Sequence, residues 1–172
     1  MLGRDSSALI VPVPWAEPIV ARWRALHDGS AADGMPAHVT VLYPFLPSRA
    51  IEASVEAALR SVLAAHPPFR FSLTRVERFP GVLYLAPEPG ESMLSITAAI
   101  WARWPDYPPY RGAYETTVPH LTVATGSEPP GLAEELERSL PIEGEVGEVC
   151  LMTKASRGTW SVRSRFALGG LG

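Results

Sequence analysis

The chain has 172 residues, enough for one domain with a real core and too few for two large ones. Apolar residues make up 47% and charged ones 19%, with a net charge of −3 and no basic run, which excludes a grip on long nucleic-acid duplexes. A short RNA end or a small nucleotide stays within reach of such a surface. Cys150 is the single cysteine, so no internal disulfide can form. No stretch is apolar enough for a membrane span and no basic-then-apolar leader opens the chain, so a cytoplasmic, monomeric protein is expected.

Ala8 to Val13 is a short apolar run ending at Pro14 and reads as a buried strand. Ile19, Val20, Trp23 and Leu26 recur at helical spacing, and Asp28-Gly29 closes that helix. A turn-rich loop, Asp33 to Pro36, leads into a β-branched strand around residues 38–42. A second helix opens at Pro47-Ser48 with Ser48 as its N-cap, carries Ile51, Val55, Leu59, Val62 and Leu63 on one stripe, and stops at Pro67-Pro68. Phe69 to Phe79 and Val82 to Ala86 form a hairpin about Pro80-Gly81.

The order then repeats. A third helix spans Glu91 to Trp104 with Leu94, Thr97, Ile100, Trp101 and Trp104 on one face. A Pro- and Tyr-rich loop, Pro105 to Thr117, feeds a second β-branched strand. Leu132, Leu136 and Leu140 mark a shorter fourth helix. Val146 to Lys154 and Thr159 to Leu168 make a final hairpin turning at Ser156-Arg157-Gly158. Each half thus reads strand, helix, strand, helix, strand. The expected fold class is α+β: two pseudo-symmetric lobes, about 1–80 and 81–172, in one domain. Each lobe has an antiparallel sheet and two outer helices, with a central cleft between them.

The repeat carries chemistry. His38-Val39-Thr40-Val41 and His120-Leu121-Thr122-Val123 both read His-x-Thr-apolar, 82 positions apart. On a strand, side chains alternate, so each His and Thr share one face while the apolar pair anchors the other. Two imidazoles divide acid and base roles in a displacement at phosphorus, and two hydroxyls hold its non-bridging oxygens. Cys-x-x-Cys and His-x-x-x-His spacings are absent, so no metal site and no cofactor is expected. His27 and His66, each at a helix end, read as structural, and Cys150 as a small core residue.

The doubled motif resembles the two-histidine phosphoesterase superfamily, which includes 2'-5' RNA ligases and cyclic nucleotide phosphodiesterases. The resemblance extends over nearly the whole chain, because element order matches as well as motifs. It implies metal-independent opening of 2',3'-cyclic phosphates on nucleotides or RNA ends. It makes His120 the base and His38 the acid, with Thr40 and Thr122 on the phosphate; the pseudo-symmetry also permits the two His roles to be exchanged. The alternatives are 2'-5' RNA ligation, the same reaction reversed, and a non-catalytic nucleotide- or phosphate-binding protein. Tyr43, Tyr110 and Lys154 are the further candidates for substrate contact: Tyr43 follows the first motif, Tyr110 precedes the second, and Lys154 borders the cleft if the final hairpin does. The RNA ligases proper continue the second motif into an Arg, where this chain has Val123-Ala124-Thr125. Arg78 and Arg111 are the candidates to replace that charge.

Overall fold

A computed structural model of the protein describes residues 5–170. Eight strands and five α-helices are found among them: β1 (Ser6–Pro12), α1 (Glu17–His27), α2 (Gly29–Ala32), β2 (His38–Leu42), α3 (Ala53–Ala64), β3 (Phe69–Phe79), β4 (Val82–Glu88), α4 (Glu91–Arg103), β5 (Leu121–Thr125), α5 (Leu132–Ser139), β6 (Ile142–Val146), β7 (Glu148–Lys154) and β8 (Trp160–Ala167). The strands form two four-stranded sheets, ordered β2-β1-β7-β8 and β5-β4-β3-β6. Every paired neighbour is antiparallel. The architecture is α+β, as the element order predicts.

The sheets do not divide the chain near residue 80, where the repeat sets the lobe boundary. β3 joins β4 and β5, while β7 and β8 return to β1. The helices cross over too. α4, from the second half, packs on β2, and α1, from the first half, packs on β5. A matched pair of hydrogen bonds ties this exchange: Thr97 Oγ1 of α4 donates to the Val41 carbonyl of β2 (2.8 Å), and Thr125 Oγ1 of β5 donates to the His27 carbonyl at the end of α1 (3.2 Å). The two motif strands are the outer strands of their sheets, and they run next to each other without pairing. A cleft therefore opens where the two sheet edges meet.

Alternation along each motif strand does what the pattern requires. Val39, Val41, Leu121 and Val123 are fully buried, while Thr40 and Thr122 are only half-buried on the opposite face. The helices differ in detail from the sequence reading. α3 begins at Ala53 after Glu52, not at Ser48, whose hydroxyl instead bonds the Asp5 carboxylate. Leu26, Leu94 and Trp101 are exposed. On α4 the buried stripe is Met93, Ile96, Thr97 and Ile100, an i, i+3, i+4, i+7 set, and Leu94 and Trp101 each lie one residue, about 100°, off it. β6 is a strand that the sequence hides. Ile142 and Val146 are its buried residues, and Gly144 between them lies under Trp15, whose ring leaves no room there for a Cβ.

Candidate active site

His38 opens β2 and His120 immediately precedes β5, so each imidazole stands at the start of its outer strand. The segment before His38 is clamped from α1. Arg24 is buried and forms an ion pair with buried Asp28 (3.2 Å), and its Nη2 also donates to the Met35 carbonyl (3.1 Å). Asp28 Oδ1 in turn accepts the Ser30 N–H at the start of α2 (3.0 Å), and Glu17 Oε1 accepts the Ala37 N–H (2.7 Å). The chain thus enters β2 in a fixed direction.

The two imidazoles are held alike. His38 Nδ1 lies 2.8 Å from the Pro36 carbonyl, and His120 Nδ1 lies 2.8 Å from the Val118 carbonyl, each two residues upstream. A carbonyl only accepts, so each Nδ1 carries the proton and each Nε2 is left for proton transfer. Their surroundings differ. Burial is the main cause that lowers His38 to about 4, assisted by Arg24 and His120 and opposed by the Pro36 bond and Asp28. His120 is lowered as well, mainly by burial, with the Val118 bond opposing. Its ring meets Phe79 and Tyr84 edge-on, at 5.1 and 5.5 Å between centroids, and stacks with Tyr110 at 6.5 Å. Burial thus favours the neutral form of both imidazoles.

A cleft of about 640 Å³ is lined by His38, Thr40, Thr122, Tyr43 and Lys154. The structure therefore brings five of the seven predicted site residues to one cavity wall. His120, two residues before Thr122, is not on the lining of this cleft and packs its ring against Phe79, Tyr84 and Tyr110. Tyr110 is off the lining of this cleft; its ring stacks with that of His120 and its backbone N–H donates to the Tyr43 carbonyl (2.7 Å). Lys154 forms an ion pair with Asp33, so its charge is already shared with a carboxylate. Arg78 is held by Glu128 through two contacts, 2.7 and 2.9 Å, and Arg111 is exposed in the loop before β5. Neither takes up a place on the wall of the main cleft.

Sequence reading missed several lining residues: Asp28, Ser30, Asp33, Met35, Arg157 and Trp160. Trp160 meets Tyr43 edge-on at 6.2 Å and donates its backbone N–H to the Asp33 carbonyl (2.7 Å). The signal for it was its place at the end of the hairpin turn that begins after Lys154. Among the described residues, no three His, Cys, Asp or Glu side chains gather to hold a metal ion.

Two antiparallel sheets meeting at paired His-x-Thr strands define the class, and comparison with known proteins gives the family. The 2'-5' RNA ligase superfamily model matches residues 11–158, and the chain belongs to that superfamily. The fold matches E. coli LigT complexed with 3'-AMP at a TM-score of 0.63 and 21% identity, covering 96% of this chain and 98% of that one. It also matches TT0787 of Thermus thermophilus at a TM-score of 0.62 and 20% identity, over 97% and 100% of the two chains. A structure described as a phosphoesterase matches at 0.63 and 20%, over 96% and 98%. No curated protein matches in sequence.

Proposed function

We propose that the protein opens 2',3'-cyclic phosphates of nucleotides or RNA ends, without a metal ion, by paired acid and base catalysis. The observation that carries this reading is the duplicated imidazole geometry. Two rings with the same Nδ1–carbonyl bond each keep Nε2 for proton transfer at the start of neighbouring motif strands, and His38, Thr40 and Thr122 line one cleft. His120 takes a proton from water as its oxygen bonds to phosphorus. His38 gives a proton to the ribose oxygen as the opposite P–O bond breaks. Thr40 and Thr122 donate to the non-bridging oxygens, where charge builds up. A mononucleotide ligand in the LigT structure, 3'-AMP, is in keeping with a substrate of this size.

His38 is neutral in the free protein, and the substrate supplies the remedy. One negative charge at about 4 Å is worth about 4 kcal/mol at an effective dielectric constant near 20. That is about three pKa units, enough to bring an imidazole from about 4 to near neutrality. The stronger depression of His38 also supports a second reading with the roles exchanged, His38 as base and His120 as acid. Leaving-group chemistry separates the two. An aryl phosphodiester, whose leaving group needs no proton, restores the variant lacking the acid and not the variant lacking the base.

The test of the activity is incubation with a 2',3'-cyclic nucleotide and identification of the product by phosphorus NMR. A nucleoside monophosphate is expected. Unchanged substrate, with the nucleotide bound, would favour the binding-protein reading; new 2'-5' bonds from RNA ends would favour ligation.

A further inference from the structure

The histidine that opens β2 is joined to a carboxylate through one peptide group. His38 Nδ1 donates to the Pro36 carbonyl (2.8 Å), and Glu17 Oε1, in the first turn of α1, accepts the Ala37 N–H (2.7 Å). The Pro36 carbonyl and the Ala37 N–H belong to the same peptide unit, which is trans, so they point in opposite directions in one plane. The series of bonds runs from carboxylate to N–H, across the peptide to its carbonyl, and on to the imidazole. The backbone on either side is held as well. Arg24 Nη2 donates to the Met35 carbonyl (3.1 Å), and the Val13 N–H donates to the Ala37 carbonyl (2.9 Å).

A carboxylate on the N–H side draws the amide resonance toward a more negative oxygen, and hydrogen bonds in series reinforce one another. The Pro36 carbonyl is thereby a stronger acceptor, which fixes the tautomer of His38 and favours its charged form. Burial is the main cause that lowers His38, and the Pro36 bond is the largest influence that opposes it. The second motif cannot copy this arrangement. His120 Nδ1 bonds the Val118 carbonyl, and the next residue is Pro119, so that peptide group has no N–H for a carboxylate to accept. The asymmetry is written in the chain: proline stands two residues before His38 and one residue before His120.

We propose that Glu17 is a positioning residue for His38, acting through the Pro36–Ala37 peptide to hold the Nδ1–H tautomer and to favour the imidazolium, and so giving the pseudo-symmetric site a direction. Its effect on turnover rests on the reading of the cleft as a phosphoesterase site; its effect on the ring does not. Glu17 is not on the lining of the cleft. The other charges that act on His38 are Arg24 and Asp28 of α1 and His120 before β5, and Asp33, Lys154 and Arg157 share its cleft. All of them stay in place when Glu17 alone is changed.

The test compares wild type with Glu17→Gln, which keeps an acceptor and removes the charge, and with Glu17→Ala, which removes both. The ring-nitrogen NMR shifts of His38 and His120 are read at pH 7 and then followed into acid, and kcat and KM are measured on a 2',3'-cyclic nucleotide. In Glu17→Gln the His38 Nδ1 shift should move toward that of a weaker hydrogen bond, and its titration should fall by about half a pH unit. Glu17→Ala should move both further and populate the Nε2–H tautomer, while His120 keeps its wild-type values. Glu17→Gln should lower kcat about two- to fivefold, the loss when a charge-assisted bond becomes a neutral one, with KM and melting temperature little changed. A merely structural tie would lower the melting temperature and leave the His38 shifts where they are, and that result would overturn the proposal. Equal changes at both rings would overturn it too. Where acid unfolds a variant before His38 titrates, the Nδ1 shift at pH 7 decides alone. A wild type inactive on the cyclic nucleotide, with His38 alone responding to Glu17, would defeat the proposed function and support the link from Glu17 to the ring.

Discussion

Acidification should destabilise this protein through His38 in a defined window. In the unfolded chain the imidazole takes its proton as pH falls below about 6.5, whereas in the fold it does so only near pH 4. Between those values the unfolded state binds more protons, so stability rises with pH across the window and falls as pH drops through it. A gap of about 2.5 units corresponds to roughly 3 kcal/mol. The ring borders the cleft and keeps some contact with water, which reduces the expected loss to about 2 kcal/mol. The perturbation is His38→Gln, which removes the titration and keeps a polar side chain of similar reach. Urea unfolding at pH 7, 6, 5 and 4, followed by tryptophan fluorescence, should show wild type losing about 2 kcal/mol more than the variant over that range. Other groups pull the same way in both proteins: His120 is depressed by burial, and Glu56 and Glu128 are depressed by Ser164 with Arg163 and by Arg78 respectively. Their contributions cancel in the difference. Parallel stability curves for wild type and His38→Gln would refute the claim that the fold holds this ring neutral.

Other outcomes follow from the same geometry. Thr40→Val and Thr122→Val should each slow turnover by about 10- to 100-fold, the worth of a hydrogen bond to a charged group, with unfolding midpoints near wild type; unchanged rates would remove the hydroxyls from the site. Activity on a cyclic phosphate should persist in a strong chelator, and loss of activity restored by Mg²⁺ or Zn²⁺ would show a metal-dependent enzyme. Because α1 and α4 back each other's motif strands, the chain should behave as one domain and melt in a single calorimetric transition. Two separable transitions would contradict that coupling.

The family was legible in the sequence, and much of the topology was not. His-x-Thr-apolar on a strand announces a polar face and an anchored back, and its recurrence distinguishes it from a chance histidine. Local pattern also placed both strands of the β3–β4 hairpin, and α4 to within a residue. Strand partnership is a long-range property, however, and nothing in the run Phe69–Phe79 says that it pairs with β4 and β6 in place of β1. β6 was hidden because Glu143, Gly144 and Glu145 dilute its apolar alternation, and the reason for Gly144 lies at Trp15, far away in sequence. The clamp of Arg24 on Asp28 was present as an i, i+4 pair, yet only the fold shows that it is buried and holds the approach to His38. Tyr110 was singled out for its loop, and its place beside the His120 ring goes with a backbone conformation that residue type alone argues against.

Everything proposed for the cleft depends on two imidazoles, at one meeting of sheet edges, performing the reaction together. The sharpest test is the rate of 2',3'-cyclic phosphate opening by His38→Ala, His120→Ala and the double variant, each checked for native circular dichroism. Each single change should cost about 10²- to 10⁴-fold in kcat, and the double variant should be inactive with its fold intact. Full activity in either single variant would contradict the paired mechanism.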